Sequence, residues 1–129
     1  MQPKLRVLLV DDLIDDLIAF GGYLRLKGCD VRTCGRPASC VELALDFRPH
    51  LVILDLQMPG MSGVELARQL KQGELPPFLL VARTGFSDEG RKKLCEQVGF
   101  DMVVIKPIAT EALDQLLERA RRIVGDGAA

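Results

Sequence analysis

The sequence contains no tryptophan, one tyrosine, one histidine and no long apolar run. Its apolar runs stay well short of the roughly 18 residues that a membrane-spanning helix needs. The first of them, residues 7–10, is followed at once by two aspartates, unlike the apolar core of a secretory signal peptide. We therefore expect a cytoplasmic protein that has no membrane segment.

An excess of charge of one sign is also lacking. Lys and Arg number 17 and Asp and Glu number 18, so the formal net charge is -1. A protein that binds nucleic acid over a broad surface is typically basic, and the balance of charges argues against such a surface. We expect no direct contact with nucleic acid.

Cysteine motifs that bind metals are absent as well. The four cysteines form no Cys-x-x-Cys pair, and His50 has no cysteine or other histidine near it in the sequence. This spacing argues against a zinc site. In a reducing compartment we interpret all four as small, inert, buried apolar residues. They are Cys29, Cys34, Cys40 and Cys95.

What the sequence does have is the length and composition of one folded domain. It comprises 129 residues, of which 48% are hydrophobic and 27% charged, which suffices for a hydrophobic core without disulfides. No linker rich in Gly, Ser or Pro divides the chain, and no repeat is visible. We predict a single domain over residues 1–129, with a core at about 5–124 and a frayed tail at 125–129.

Short apolar runs alternate with amphipathic patterns along the whole chain. In the first amphipathic stretch, for example, the apolar positions recur at helical spacing. Five predicted strands that alternate with five predicted helices indicate an α/β fold with a parallel sheet covered on both faces. For units of this size we predict the flavodoxin-like doubly wound order 2-1-3-4-5. The predicted strands are Leu5–Val10, Asp30–Cys34, Leu51–Leu54, Phe78–Ala82 and Met102–Ile105. The first helical pattern consists of Ile14, Leu17, Ile18, Gly21 and Leu24.

Polar side chains follow several of these strands at the point where each strand ends. They are Asp11, Asp12, Asp55, Thr84 and Lys106. Because ligands of open α/β sheets bind beyond the carboxyl ends of the strands, we expect these five to share one crevice. Three carboxylates in one place favour a hard cation such as Mg²⁺, and a carboxylate, an ammonium and a hydroxyl suit phosphoryl transfer. Each residue alone could be a helix cap or a turn residue, but together they favour a functional site.

The chain resembles the receiver domain of bacterial response regulators, from Leu5 to about Val124. The resemblance rests on four segments, namely residues 7–12, 51–63, 83–85 and 104–107. The second is the most specific, because an aspartate followed, after two intervening residues, by Met-Pro-Gly-Met-x-Gly is typical of the family. Residues 47–49 and 82–86 are similar to receivers attached to hybrid histidine kinases.

The resemblance implies a role for each residue of the crevice. Asp55 would be the phosphoacceptor. Asp12 would bind Mg²⁺ directly and Asp11 through water, while Asp55 and the backbone carbonyl of Gln57 would complete the protein ligands. Lys106 would pair with the phosphoryl group.

Further expectations concern the loops around the acceptor. Thr84 would hydrogen-bond the phosphoryl group, and Pro107 would follow a cis peptide bond. Gly63 would allow the loop after the acceptor to turn into the next helix. Phe86 lies where attacking water enters in receivers, and we predict that it slows loss of the phosphoryl group.

By the same resemblance, the protein would be a Mg²⁺-dependent phosphoacceptor switch of a bacterial two-component phosphorelay, not an enzyme with a separate substrate. A histidine kinase or a histidine phosphotransfer protein would supply the phosphoryl group. An unidentified downstream protein would bind the face formed by the fourth helix, the fifth strand and the fifth helix.

Three positions depart from the family pattern. Val103 stands where the family usually has an aromatic residue, and Arg83 stands where an apolar residue is common. Ala109 occupies the usual helix-capping position before the last helix, so we expect Thr110 to cap that helix. Since valine has few rotamers, we predict that the segment 84–90 transmits the signal in place of Val103.

Three other functions are compatible with parts of the pattern. A haloacid-dehalogenase-like phosphatase would need a second aspartate two residues after its nucleophile, where this chain has Gln57. A flavodoxin-like cofactor site would need a loop rich in Ser, Thr and Gly after the first strand. This chain instead has four aspartates within residues 11–16. A receiver fold that acts only as a scaffold would not need the complete acidic set.

Overall fold

Ten elements alternate along the chain of the computed structural model, which describes residues 4–56, 63–85, 89–106 and 108–128. The five strands are β1 (Arg6–Val10), β2 (Asp30–Cys34), β3 (Leu51–Asp55), β4 (Leu79–Thr84) and β5 (Met102–Ile105). The five helices are α1 (Ile14–Leu26), α2 (Pro37–Phe47), α3 (Gly63–Gln72), α4 (Glu89–Val98) and α5 (Thr110–Ala128). Each predicted strand and helix is present, and the strand boundaries differ from the predicted ones by at most two residues.

The strands form one parallel sheet in the order β2-β1-β3-β4-β5. This order confirms the predicted flavodoxin-like fold. In the register, Val10 lies opposite both Cys34 and Leu54, and Asp55 lies opposite Arg83. Because all strands point the same way, their carboxyl ends and the residues that follow them meet at one edge of the sheet.

Hydrophobic cores lie on both faces of the sheet. β3 and β4 are buried at every position, as expected for central strands covered on both sides. Alternate side chains of β1 point to opposite faces, so Leu8 packs into one core and Leu9 into the other. Buried residues of α2, α3 and α4 contribute to the first core, and those of α1 and α5 contribute to the second.

The apolar pattern of α1 does not form one buried stripe. Leu17, Gly21 and Leu24 are buried, whereas the side chains of Ile14 and Ile18 are 70% and 67% exposed. The helix itself was predicted correctly. Only its face at positions 17, 21 and 24 turns toward the sheet, because successive residues of a helix are 100° apart and the sheet contacts a narrow face.

The last helix, α5, continues to Ala128 and so includes residues 125–128 of the predicted tail. Fraying of residues 125–129 stays a prediction. Glycine lowers helix stability by about 1 kcal/mol relative to alanine, but it still makes the backbone hydrogen bonds of a helix. At the other end, the amide of Leu113 donates to the carbonyl of Ala109, which makes Thr110 the first helical residue rather than the cap.

No helix within the described ranges is long and apolar enough to cross a membrane.

Candidate functional site

The carboxyl edge of the sheet collects the polar residues singled out in the sequence. Asp11 directly follows β1, Asp55 ends β3, Thr84 ends β4 and Lys106 directly follows β5. Asp11, Asp55 and Thr84 are almost completely buried, while Asp12 and Lys106 are partly exposed. Buried carboxylates need cations or hydrogen-bond donors beside them, and Asp11 and Asp55 each have such partners.

Asp55 pairs with Lys106 across the edge. The Nζ atom of Lys106 donates to Oδ2 of Asp55 at 2.8 Å and lies 4.0 Å from Oδ2 of Asp11. The backbone amide of Lys106 donates to the carbonyl of Thr84 at 2.8 Å, which fixes the lysine next to β4. The ammonium group thus lies between two carboxylates, where it can also reach an oxygen bound to Asp55.

Asp11 has a second cationic partner, Arg83, whose role the sequence did not reveal. Nη1 of Arg83 donates to Oδ2 of Asp11 at 2.9 Å and lies 3.9 Å from Oδ2 of Asp16. The guanidinium group also lies over the ring of Phe20, with 5.0 Å to the ring centroid. The backbone amide of Leu13 donates to Oδ1 of Asp11. Arg83 therefore fixes the side chain of Asp11, which is one of the predicted metal ligands.

The sequence contained one signal for the contact between Arg83 and Asp11, namely an arginine near the end of a strand that is buried throughout. A buried guanidinium group requires an acceptor, and the neighbouring strand ends offered only carboxylates. The sequence could not show which of Asp11, Asp12 and Asp55 would accept it. The Nε atom of Arg83 has no hydrogen-bond partner within the described ranges.

Thr84 contacts a helix as well as the crevice. Its Oγ1 atom accepts a hydrogen bond of 3.0 Å from Nη1 of Arg91, a residue of α4. The sequence analysis did not identify Arg91. Thr84 is completely buried, so this contact links the end of β4 directly to α4.

The close approach of α3 to β3 explains the glycine at position 63. A Cβ atom there would lie 2.6 Å from the carbonyl oxygen of Asp55 and 2.8 Å from Cα of Leu56. Both distances are shorter than real Cβ contacts, so a side chain would displace the backbone of the acceptor residue. The predictions for Gln57, Phe86 and Pro107 lie outside the described residues.

The carboxylates form a group that fits a hard divalent cation. One oxygen from each of Asp11, Asp12 and Asp55 lies within 4.8 Å of the others. Burial raises the pKa of the Asp11 carboxyl, and the nearby Asp55 carboxylate raises it further, whereas the Leu13 amide and Lys106 act in the opposite direction. Asp12 does not cap α1, because Leu13 occupies the cap position without a side-chain hydrogen bond. The donor set, all oxygen and partly open to solvent, suits Mg²⁺.

Comparison with known proteins finds one matching family and several similar proteins. The model of the response regulator receiver domain family matches residues 7–118. The chain is 32% identical to the virulence sensor protein BvgS of Bordetella pertussis, over 92% of this chain and 10% of BvgS. It is also 32% identical to the phosphate regulon transcriptional regulatory protein PhoB of Pseudomonas aeruginosa, over 94% of this chain and 53% of PhoB. The chain thus spans only part of these two relatives.

A third relative matches over its full length. The polar-differentiation response regulator DivK of Brucella anthropi is 27% identical, over 97% of this chain and 99% of DivK. Among solved structures, chemotaxis protein CheY4 of Vibrio cholerae aligns with a TM-score of 0.81 at 25% identity, over 92% of this chain and 99% of CheY4. A CheY-like receiver domain of Methanospirillum hungatei aligns with a TM-score of 0.86 at 20% identity, over 96% and 99% of the two chains.

Proposed function

Since the chain belongs to the response regulator receiver domain family of two-component signalling, we propose that it accepts a phosphoryl group on Asp55. The observation that carries this proposal is the position of Asp55. Its carboxylate is buried at the carboxyl edge of the sheet, 2.8 Å from Nζ of Lys106 and beside two further carboxylates.

The donor we propose is a phosphohistidine of a histidine kinase or of a phosphotransfer protein. A carboxylate oxygen of Asp55 attacks the phosphorus atom, the P–N bond breaks, and an acyl phosphate forms as the histidine leaves. Asp11, Asp12, Asp55 and the backbone carbonyl of Gln57 would hold Mg²⁺, which neutralises charge on the phosphoryl oxygens. Lys106 supplies a second positive charge to the same oxygens.

The output of the switch would pass through Thr84 and Arg91. We propose that the Thr84 hydroxyl turns toward the phosphoryl group and gives up its hydrogen bond from Arg91. Because Arg91 belongs to α4, its release would change the face formed by α4, β5 and α5, to which a downstream protein binds. Val103 is half-buried and packs against the core, and as a β-branched residue it has few rotamers, so we propose no switching role for its side chain.

The proposal includes the setting as well as the chemistry. The protein would act in the bacterial cytoplasm, without catalysis on a separate substrate and without direct contact to nucleic acid. A receiver fold that serves only as a scaffold is the competing function. It predicts an acidic crevice that never carries a phosphoryl group.

The deciding experiment compares the unchanged protein with Asp55→Asn during incubation with acetyl phosphate and MgCl₂. We expect an acid-stable, base-labile phosphoprotein from the unchanged protein, and none from Asp55→Asn or when the metal is chelated. Asp46→Asn is the matched control, since the Asp46 side chain is 80% exposed on α2 and should label normally. A labelled Asp55→Asn protein would show that Asp55 is not the acceptor, and an unlabelled starting protein would favour the scaffold.

A further inference from the structure

Two of the four cysteines face each other beside the carboxyl end of β2. The Sγ atoms of Cys34 and Cys40 are 2.6 Å apart, and each lies 3.2 Å from the carbonyl oxygen of Arg36. Both cysteines are free thiols. A disulfide bond is about 2.05 Å long, so the two sulfur atoms need to approach by little more than half an ångström to become bonded.

Regular structure on both sides holds the two thiols in this position. Cys34 is the last residue of β2, where it pairs with Val10 of β1, and its carbonyl accepts a hydrogen bond from the amide of Asp11. Cys40 lies in the second turn of α2 and is completely buried in the core. The pairing of the thiols therefore follows from the fold and not from the chance conformation of a mobile loop.

The two thiols differ in chemical character. The hydrogen bond from Cys40 lowers the pKa of Cys34 to about 6, although burial opposes this effect. The adjacent Cys34 sulfur and burial raise the pKa of Cys40. One sulfur is thus suited to act as a thiolate nucleophile, while the other stays protonated beside it.

Small reagents can reach Cys34 from solvent. Cys34 lines an open groove of about 550 Å³, together with Thr33, Arg36 and Ser39. The exposed fraction of Cys34 is 8%, compared with 0% for Cys40. Cys34 is therefore the residue of the pair that a reagent in the groove meets first, with the buried Cys40 behind it, which is the arrangement of a cysteine that reacts first and a cysteine that resolves the product.

We propose that Cys34 and Cys40 are a redox-sensitive modification site, at which a peroxide converts the two thiols into a reversible intramolecular disulfide. In the first step, the Cys34 thiolate attacks one oxygen of hydrogen peroxide, the O–O bond breaks, and Cys34 becomes a sulfenic acid as hydroxide leaves. In the second step, the Cys40 sulfur attacks the Cys34 sulfur. The S–O bond breaks, and the departing hydroxide takes the Cys40 proton to form water. Two thiols are oxidised by two electrons, and the peroxide is reduced to two molecules of water.

The other two cysteines provide internal controls. Cys29 and Cys95 are buried, and burial raises the pKa of each thiol. Within the described ranges, no hydrogen bond connects either of them to another sulfur. Cys29 packs in the core on the opposite face of the sheet from Cys34. Both should react with peroxide more slowly, by an order of magnitude or more, because they form little thiolate near neutral pH.

The experiment treats the folded protein with hydrogen peroxide, blocks remaining thiols by alkylation after denaturation, and maps tryptic peptides by mass spectrometry. Trypsin does not cleave before Pro37 or Pro49, so residues 33–68 form one peptide that contains both cysteines and neither Cys29 nor Cys95. We expect this peptide to lose two hydrogen atoms and to resist alkylation while Cys29 and Cys95 are still alkylated. Dithiothreitol should restore both of its thiols. In Cys40→Ala, Cys34 should instead advance to a sulfinic acid that dithiothreitol does not reverse.

The proposal is overturned if the peptide 33–68 keeps both thiols while Cys29 and Cys95 oxidise, or if all four cysteines react at the same rate. It is also overturned if Cys34 reaches the sulfinic acid as fast in the unchanged protein as in Cys40→Ala. The peptide from the unchanged protein decides the matter even if Cys40→Ala does not fold. A disulfide between two copies of the chain, visible as a dimer without reducing agent, would likewise contradict it.

Discussion

The two ends of the same sheet carry polar groups that serve different purposes. At the carboxyl end, two buried carboxylates face two cationic side chains, in the pairs Asp55–Lys106 and Asp11–Arg83. At the amino end, His50 lies between neighbouring strands, and its hydrogen bonds within the described residues are with backbone groups. The buried ion pairs of the described residues lie where strands end, whereas the charged side chains Arg6 and Asp101 at the amino end make hydrogen bonds to backbone groups.

The hydrogen bonds of His50 connect backbone groups at the beginnings of three strands. Nδ1 of His50 accepts from the amide of Arg6 at 2.8 Å, and the amide of His50 donates to the carbonyl of Arg6 at 2.8 Å. The carbonyl of His50 accepts from the amide of Leu79, so one residue joins the beginnings of β1, β3 and β4. Such a network stabilises the sheet, because it pairs backbone groups that would otherwise be buried without partners.

The side chains at the carboxyl end, by comparison, lower the stability of the fold. Asp11, Asp12 and Asp55 converge there, and the two cations Arg83 and Lys106 cannot neutralise all three carboxylates. Carboxylates taken out of water with incomplete compensation reduce stability, and a divalent cation of the kind we propose would offset that loss. The comparison teaches that backbone hydrogen bonds join the strands at one end of the sheet, whereas uncompensated negative charge gathers at the other.

The largest effect is expected from Arg83→Met, which removes the positive charge but keeps an apolar side chain beside Phe20. Breaking a buried ion pair leaves Asp11 uncompensated, and we expect the free energy of unfolding to fall by about 3 kcal/mol without metal. Because the positive charge next to the cation site is gone, Mg²⁺ should bind more tightly and restore part of the loss. Urea denaturation with and without MgCl₂ measures both effects.

Arg32→Met is the matched control for that variant. Arg32 also lies over a phenylalanine ring, that of Phe47 at 4.8 Å, and faces a carboxylate, that of Asp46 at 3.6 Å, but both members of its pair are exposed. Its loss should cost less than about 1 kcal/mol and should leave the effect of Mg²⁺ unchanged. An Arg83→Met protein that gains no more stability from Mg²⁺ than the unchanged protein would contradict our account of the carboxyl end.

A smaller effect is expected from Arg91→Met, which tests whether the carboxyl end communicates with α4. The hydrogen bond from Arg91 to Thr84 is charge-assisted, and such bonds contribute roughly 1.5–3 kcal/mol. Without it, the Thr84 hydroxyl should turn more readily toward a phosphoryl group. Beryllofluoride, which stands in for that group, should then bind more tightly in the presence of Mg²⁺.

Backbone amide NMR shifts provide the measurement for Arg91→Met. We expect the α4 amides of the variant to move partway toward their positions in the beryllofluoride complex before beryllofluoride is added. Lys92→Met is the control, since Lys92 is an exposed neighbour on the same helix and should leave those amides unmoved. Equal shifts and equal beryllofluoride affinity in Arg91→Met and the unchanged protein would exclude this link.

The smallest effect belongs to the amino end and depends on pH. Burial lowers the pKa of His50 below its ordinary value of 6.5, and the nearby Arg6 lowers it further. As pH falls through about 6.5, the unfolded chain therefore takes up a proton before the folded protein does, and the free energy of unfolding decreases. Above that pH the contribution of His50 is constant.

The variant His50→Asn keeps an acceptor near the Arg6 amide but does not titrate. Between about pH 6.5 and pH 5, the unchanged protein should lose up to about 1 kcal/mol of stability relative to this variant. Urea denaturation at several pH values measures the difference. Parallel pH profiles for the two proteins would show that the His50 ring is not held neutral, and affinity for Mg²⁺ should be the same in both.

Much of the fold could be predicted from local pattern alone. The apolar run at residues 51–54 specifies a buried strand, because a strand covered on both faces has no polar position. The equally apolar run at 102–105 forms a strand as predicted, but β5 lies at the edge of the sheet and is only partly buried, with Ile105 53% exposed. Alternation of strands with helices then left few topologies, and the observed sheet order is the predicted one. The exposure of Ile14 and Ile18 was missed, since helical spacing indicates a helix but not which part of its surface meets the sheet.

The sequence by itself determined which residues stand at the strand ends, because each directly follows or ends an apolar run. This is why Asp11, Asp55 and Lys106 could be placed at one edge before any contact was known. Only the tertiary structure decided the partners: Arg83 with Asp11, Arg91 with Thr84, and Cys34 with Cys40. Side-chain type and spacing are local properties, whereas a contact between residues 72 positions apart depends on strand register and helix packing, which the chain fixes only as a whole.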